Sequence, residues 1–182
     1  MDYRVKLAIP PAAEPVSLEE AKSAARELTD DFDSEIAKLI KAAREEAEKY
    51  QNRFYMTQTW EQSYDSFPAT PIEIKKPPLQ SLESVTLFDQ NGGQVLVSPG
   101  DFIVSTRSNR IWFKPEKLWP SISLQQFDSV VFRYKSGFTD ISSIPESVQL
   151  AIKLYVSYFL DNPEAEKPPE AFYSLLSSER WS

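Results

Sequence analysis

The sequence predicts an α+β protein in which a small helical bundle, formed by the N- and C-terminal segments, carries an inserted antiparallel β module. Three observations predict it. Apolar residues recur at helical spacing over residues 17–50 and again over 143–178, the middle third at 57–135 alternates with period two, and turn residues punctuate that middle. The expected layout is a helical core at 15–56 and 141–182, a β insertion at 57–140, and a flexible N-terminal arm at 1–14. A length of 182 residues suits one domain with a sizeable insertion and is too short for two large ones.

The first helix is announced by Val16-Ser17-Leu18-Glu19-Glu20, a capping box in which the Ser17 hydroxyl and the Glu20 carboxylate satisfy each other's backbone N–H groups. Pro15 keeps the incoming chain extended, and the helix is expected to run to about Leu28. Thr29-Asp30-Asp31-Phe32-Asp33 then breaks the chain with N-cap residues. Beyond it, Phe32, Ile36, Leu39, Ile40, Ala43, Ala47 and Tyr50 fall on one stripe, so a long helix is expected there. Its opposite face pairs Lys41 with Glu45, Glu45 with Lys49 and Arg44 with Glu48 at i, i+4, the pattern of a solvated surface.

From Gln58 the period changes to two. Trp60, Gln62 and Tyr64 alternate with Thr59, Glu61 and Ser63, and short strand-like runs follow at 72–75, 84–88, 94–97, 102–105, 110–113 and 129–134. Asp89-Gln90-Asn91-Gly92-Gly93 is a hairpin signal, because Asn and Gly tolerate positive φ, and Thr106-Arg107-Ser108-Asn109 makes a second. Prolines between these runs keep the strands short.

Helix returns at Ser143-Ile144-Pro145-Glu146, where Pro145 suits the first helical position. Val148, Ala151, Ile152, Tyr155 and Phe159 form one stripe, while Leu150, Leu154, Val156 and Leu160 make the helix apolar almost all round. Such a helix is buried on several sides or meets another subunit, and the last four residues are the candidate subunit interface. Asn162-Pro163 stops it, 164–169 is a polar linker, and a last short helix presents Phe172, Leu175 and Leu176 on one side.

Composition narrows the chemistry. Hydrophobic residues at 41% and charged residues at 26% are ordinary globular usage. With no cysteine and no histidine, the chain has no disulfide, no thiolate, no imidazole base and no Cys- or His-ligated metal, and it fits a reducing cytosol. Only carboxylate, Lys or Tyr chemistry remains open. A net charge of -7 opposes tight wrapping of nucleic acid, although an acidic surface can face DNA without gripping it. The N-terminal residues carry Asp2, Arg4 and Lys6 without an apolar stretch, and no run approaches membrane-spanning length, so the chain reads as soluble and intracellular at synthesis.

Candidate sites are few, and each has a plainer reading. Glu61 with Asp65, or Glu83 with Asp89, would suit a carboxylate-dependent glycan hydrolase, but twenty-seven acidic residues make such pairs inevitable as solvated charges. Asp30, Asp31 and Asp33 offer oxygen ligands for a hard cation, and helix capping explains them better. Lys75, Lys76, Arg107, Arg110 and Lys114 beside Trp112 suggest a basic strip for single-stranded nucleic acid, against the reading of ordinary strand edges. No cofactor or metal site is expected.

Several segments, in order, resemble the head-tail connector (adaptor, head-completion) proteins of tailed bacteriophages. They are Glu14-Pro15-Val16-Ser17-Leu18-Glu19-Glu20-Ala21-Lys22, Ala42-Ala43-Arg44-Glu45-Glu46-Ala47-Glu48-Lys49-Tyr50, Thr57-Gln58-Thr59-Trp60-Glu61, the link from Pro77 to Val85, Val131-Phe132-Arg133-Tyr134-Lys135-Ser136-Gly137-Phe138, and Ile144-Pro145-Glu146-Ser147-Val148-Gln149. The pattern is similar to the longer branch, in which a β-rich insertion separates the helices. The resemblance implies a non-enzymatic virion protein, synthesised in the bacterial host cytoplasm, that forms a dodecameric ring beneath the portal at the head-tail junction. It implies a DNA channel that the genome passes without specific binding, a next connector, stopper or tail protein as partner, no membrane partner, and a chain that is monomeric when isolated. It also implies portal docking through the last helix and tail, Phe172, Leu175, Leu176 and Trp181. The alternative structural role is another virion or baseplate binding protein.

Overall fold

A computed structural model describes residues 3–27, 29–114 and 117–177, with Phe113 described by its backbone alone. The fold is α+β, with helices from both ends of the chain packed together and antiparallel sheets inserted between them. It divides into two compact units, one of residues 1–11 with 57–137 and the other of residues 12–56 with 138–182.

The second unit is helical. Its elements are α1 (Leu18–Ala25), α2 (Asp33–Gln51), α3 (Glu146–Asp161) and α4 (Glu170–Ser177). The capping box forms: the Glu20 N–H donates to Ser17 Oγ at 3.2 Å and the Ser17 N–H to Glu20 Oε2 at 2.9 Å. Arg26 closes α1 in the left-handed region, φ 59°; the expected end at Leu28 lies outside the described residues. Removing the cap with Ser17→Ala is expected to cost about 1 kcal/mol in urea denaturation.

The break before α2 differs from expectation. Phe32 is the N-cap residue and no side chain caps the helix. The Lys22 ammonium instead takes two of the carboxylates, reaching Asp30 at 2.7 Å and Asp33 at 2.6 Å. A positive charge inside that acidic cluster occupies the place a cation would need.

α3 packs against α1, α2 and α4, which is why it is apolar on several sides. The core joins Ile36, Ile40, Ala43 and Ala47 of α2 to Val148, Ala151, Ile152 and Val156 of α3 and to Phe172 and Leu176 of α4. Each large side chain among them contributes about 1.5–3 kcal/mol by leaving water.

Three polar residues of α2 are also buried, and they tie the unit together. Arg44 Nε donates to Glu14 at 2.7 Å and its Nη1 to Glu48 at 2.8 Å, while the other Glu48 oxygen accepts from the Tyr55 N–H at 3.1 Å. The stretch read as a solvated face therefore keeps Lys41 and Lys49 exposed but sinks Arg44 and Glu48. Gln51 donates to the Leu176 carbonyl at 2.6 Å and accepts from the Tyr55 hydroxyl at 2.6 Å, pinning the end of α4 to α2. Gln51→Ala removes both of these buried hydrogen bonds, and a loss of about 1–3 kcal/mol is expected in denaturant unfolding.

The described residues of the first unit form eight strands: β1 (Tyr3–Ile9), β2 (Gln58–Tyr64), β3 (Ile72–Glu73), β4 (Leu79–Phe88), β5 (Gln94–Val97), β6 (Phe102–Ser105), β7 (Arg110–Phe113) and β8 (Val130–Ser136). Five form an antiparallel sheet in the order β1-β2-β8-β4-β5 and three form a second in the order β3-β7-β6. Both sheets contribute to one core, in which Val130, Phe132 and Tyr134 of β8 meet Val85 and Leu87 of β4, Phe102 of β6 and Ile111 of β7. β8 shows the alternation most cleanly, every second residue being buried.

Two hairpins follow expectation. At Asp89 the carboxylate accepts from the Asn91 and Gly93 N–H groups at 2.7 and 2.9 Å, and Gly92 takes φ 82°. At the second, Asn109 takes φ 53° and its buried Oδ1 accepts from the Leu79 N–H at 2.7 Å, locking the β6–β7 turn to β4. The expected N-terminal arm is a difference. Tyr3–Ile9 pairs with β2 from Tyr3 opposite Tyr64 to Ile9 opposite Thr59, and so forms an edge strand of the larger sheet.

Candidate assembly surfaces

The residues expected at a subunit interface separate into two groups. Val156 is fully buried in the core of its own unit, and Leu160 is partly buried against that core. Leu150 and Leu154 lie one helical turn apart on the other side of α3, Leu150 with 55% of its surface exposed and Leu154 half-buried. The candidate tail-end residues separate likewise. Phe172 and Leu176 are fully buried against α2 and α3, with the Phe172 ring edge-on to Tyr155 at 5.3 Å. They hold α4 in place and are not free to dock. Leu175 is partly exposed, and Trp181 lies outside the described residues.

Leu150 and Leu175 line one shallow groove between α3 and α4, with Glu146, Gln149 and Lys153 on its rim. A second, more apolar groove in the same unit lies among Val16, Leu18, Ala37, Ile40 and Ile141. Both present apolar side chains at the surface of the helical unit.

The outer face of the larger sheet is a ladder of charge. Arg133, central on β8, donates to Glu61 of β2 at 3.1 Å and to Glu83 of β4 at 3.2 Å, and Lys135 reaches Glu83 at 3.0 Å. Burial pushes the Glu83 carboxyl up, but the hydrogen bonds from Lys135 and Arg133 outweigh it and hold the group below its ordinary value. Asp65 is held low chiefly by its hydrogen bond from Arg4 at 2.7 Å, and next by the Asp128 N–H. Asp89 is spent on its turn. A glycosidase acid needs a raised pKa. Glu83 and Asp65 are held the other way, by cations.

These lowered carboxyls make the fold sensitive to acid. A group whose folded pKa lies below its unfolded one contributes stability above the unfolded value and loses it as pH falls through the folded value. Asp30, held down first by its hydrogen bond from Lys22, belongs to the same set. Stability to urea is therefore expected to be level near neutrality and to fall below about pH 4. A curve rising on acidification would contradict these ion pairs. Lys22 is pushed up to about 12 by its bonds to Asp30 and Asp33, so its contribution is present below the unfolded value and is lost only as pH rises through that range.

The residues weighed as a basic strip lie among acids, as ordinary strand edges do. Lys75 is bonded to Glu73 at 2.9 Å, and Arg110 sits opposite Glu73 in register. Trp112 faces outward beside Ile103, its cross-strand partner, and both are about half exposed. Among the described residues no group of three or more acidic side chains converges to hold a metal ion, and no helix is long and apolar enough to cross a membrane. Sequence reasoning missed β1 and the Ile103–Trp112 pair as surface features. Their signal is present: Tyr3, Val5, Leu7 and Ile9 alternate with Arg4, Lys6 and Ala8.

No protein-family model matches the chain, and no curated protein matches its sequence. Solved structures do match. One is a chain from the virion of a native gene transfer agent particle, with 13% identity and a TM-score of 0.77 over 98% of this chain and 95% of that one. A second is from the neck of an empty gene transfer agent particle computed with C6 symmetry, with 16% identity and a TM-score of 0.77 over 100% and 96% of the two chains. A third is from the neck of a native particle computed with C12 symmetry, with 16% identity and a TM-score of 0.72 over the same shares, 100% and 96%. At these identities the likeness establishes a shared fold along the whole chain.

Proposed function

We propose that this chain is a non-enzymatic head-tail connector subunit of a tailed phage or phage-like particle. The observation that carries the reading is the end-to-end likeness, helices and β module together, to chains from particle necks. The ordered segments that resemble phage connectors support it independently. In this reading twelve copies form a ring, the count that matches a neck computed with C12 symmetry. The ring docks beneath the portal, extends the DNA channel and receives the next connector, stopper or tail protein. A net charge of -7 lets the genome pass without sticking.

The exposure of Leu150, Leu154 and Leu175 supports the following parts in this role. Leu150 and Leu154 remain as subunit-interface residues, and Leu175 with Trp181 remain as the portal-contact pair. Leu150→Asp is expected to weaken subunit association by about tenfold or more while leaving urea unfolding of the isolated chain unchanged. Equal loss of stability and association would mean that Leu150 serves only its own fold.

The role itself is tested by producing particles without the chain. Heads that carry portal but lack tails are the expected product. Normally tailed, infectious particles would overturn the proposal.

A further inference from the structure

The larger sheet has two open edges, and they are unlike. At one end β1 pairs only with β2, and among the described residues no strand lies beyond it. Its register puts Tyr3, Val5 and Leu7 on the core face with Tyr64, Gln62 and Trp60, yet Leu7 is 39% and Ile9 50% exposed. At the other end, among the described residues, β5 pairs only with β4, and Leu96 is 73% exposed on the outer face. Each edge presents unpaired N–H and C=O groups beside uncovered apolar side chains, a surface that invites another strand.

Strand direction decides which strand fits. Every pairing in this sheet is antiparallel, so across the order β1-β2-β8-β4-β5 the first and last strands run the same way. Rotation about a ring axis carries one copy onto the next with little change of strand direction, which brings β5 of one copy alongside β1 of its neighbour in parallel. A two-fold dimer would instead put β1 against β1, antiparallel, and would leave both β5 edges open. Charge is compatible with the first arrangement: β1 carries Arg4 and Lys6 and no acid, and β5 carries no charge at all.

We infer that the partner of each open edge is a second copy of this chain, β1 of one subunit adding in parallel to β5 of the next. The larger sheets then join into one continuous belt, and a closed ring leaves no edge exposed. This inference rests on the ring proposed above, and it adds the seam.

The chain has no cysteine, so pairs introduced across the seam report cleanly. Lys6→Cys is combined in the full-length protein with Gln94→Cys or with Leu96→Cys, all at exposed positions. Each variant is first matched to the parent by circular dichroism, then oxidised alone and with portal, and imaged by negative stain. At least one pair is expected to give a reducible ladder extending past the dimer, while Lys6→Cys alone stays uncrosslinked. A dimer formed by Lys6→Cys alone would overturn the seam in favour of two-fold pairing. Rings without a ladder from either pair would overturn the seam and leave the connector role standing. Neither rings nor ladder would remove both.

Discussion

Arg44→Met is expected to lower the unfolding free energy of the helical unit by about 3–5 kcal/mol. Arg44 and Glu48 are both nearly inaccessible, so the pair left water together and each charge is offset in part by the other. Desolvation by itself lowers the Arg44 pKa, but Glu48 and Glu14 outweigh it and the group is held above its ordinary value. Methionine fills much of the arginine stem's volume while taking one cation away from the buried Glu48 carboxylate. Arg44→Met with Glu48→Gln is expected to recover much of the loss, because glutamine keeps an acceptor for the Tyr55 N–H without the charge. Urea unfolding followed by helical circular dichroism reads both variants. A cost below about 1 kcal/mol for Arg44→Met, the range of an exposed pair, would show that the network does not behave as buried.

The second large effect belongs to the β module. Phe132→Ala is expected to cost about 3–5 kcal/mol. Phe132 is fully buried between Gln62 and Val85 in register, and its ring meets Tyr64, Phe102 and Trp119 edge-on at 6.0, 5.8 and 6.3 Å. The substitution removes a ring from the place where the two sheets meet, and short strands have little capacity to close the cavity. Of the four tryptophans in the chain, Trp60, Trp112 and Trp119 lie in this module, so intrinsic fluorescence follows its unfolding. Phe132→Leu should recover part of the loss. Equal costs for alanine and leucine would mean that the ring contacts, rather than the filled volume, set the stability there.

What the sequence made legible follows from the range of its signals. Local ones were read correctly: the Ser17–Glu20 box, the stripe of α2, the stop at Asn162-Pro163, the Asp89 hairpin and the alternation of β8. What failed depends on partners far along the chain. Residues 3–9 become a strand because β2, more than fifty residues on, offers an edge, and the prolines after them suggested a loose arm. Asp30 and Asp33 looked like caps because nothing local shows that Lys22 folds back onto them. Arg44 and Glu48 carried an ordinary surface pattern, and the contacts with Glu14 and Tyr55 that accompany their burial are not visible in it. Phe172 and Leu176 looked like a docking face for the same reason that they fill the core: an apolar stripe does not say whose surface it meets. Of the candidate interface residues, Leu150 and Leu154 face out while Val156 faces in, a split the apolar pattern of α3 does not show.

The connector role is tested most directly by electron microscopy of the full-length chain mixed with the portal of its own particle. The account predicts rings of twelve copies seated coaxially on the portal, the count that matches a neck computed with C12 symmetry. Particles that stay monomeric and never bind portal would contradict it.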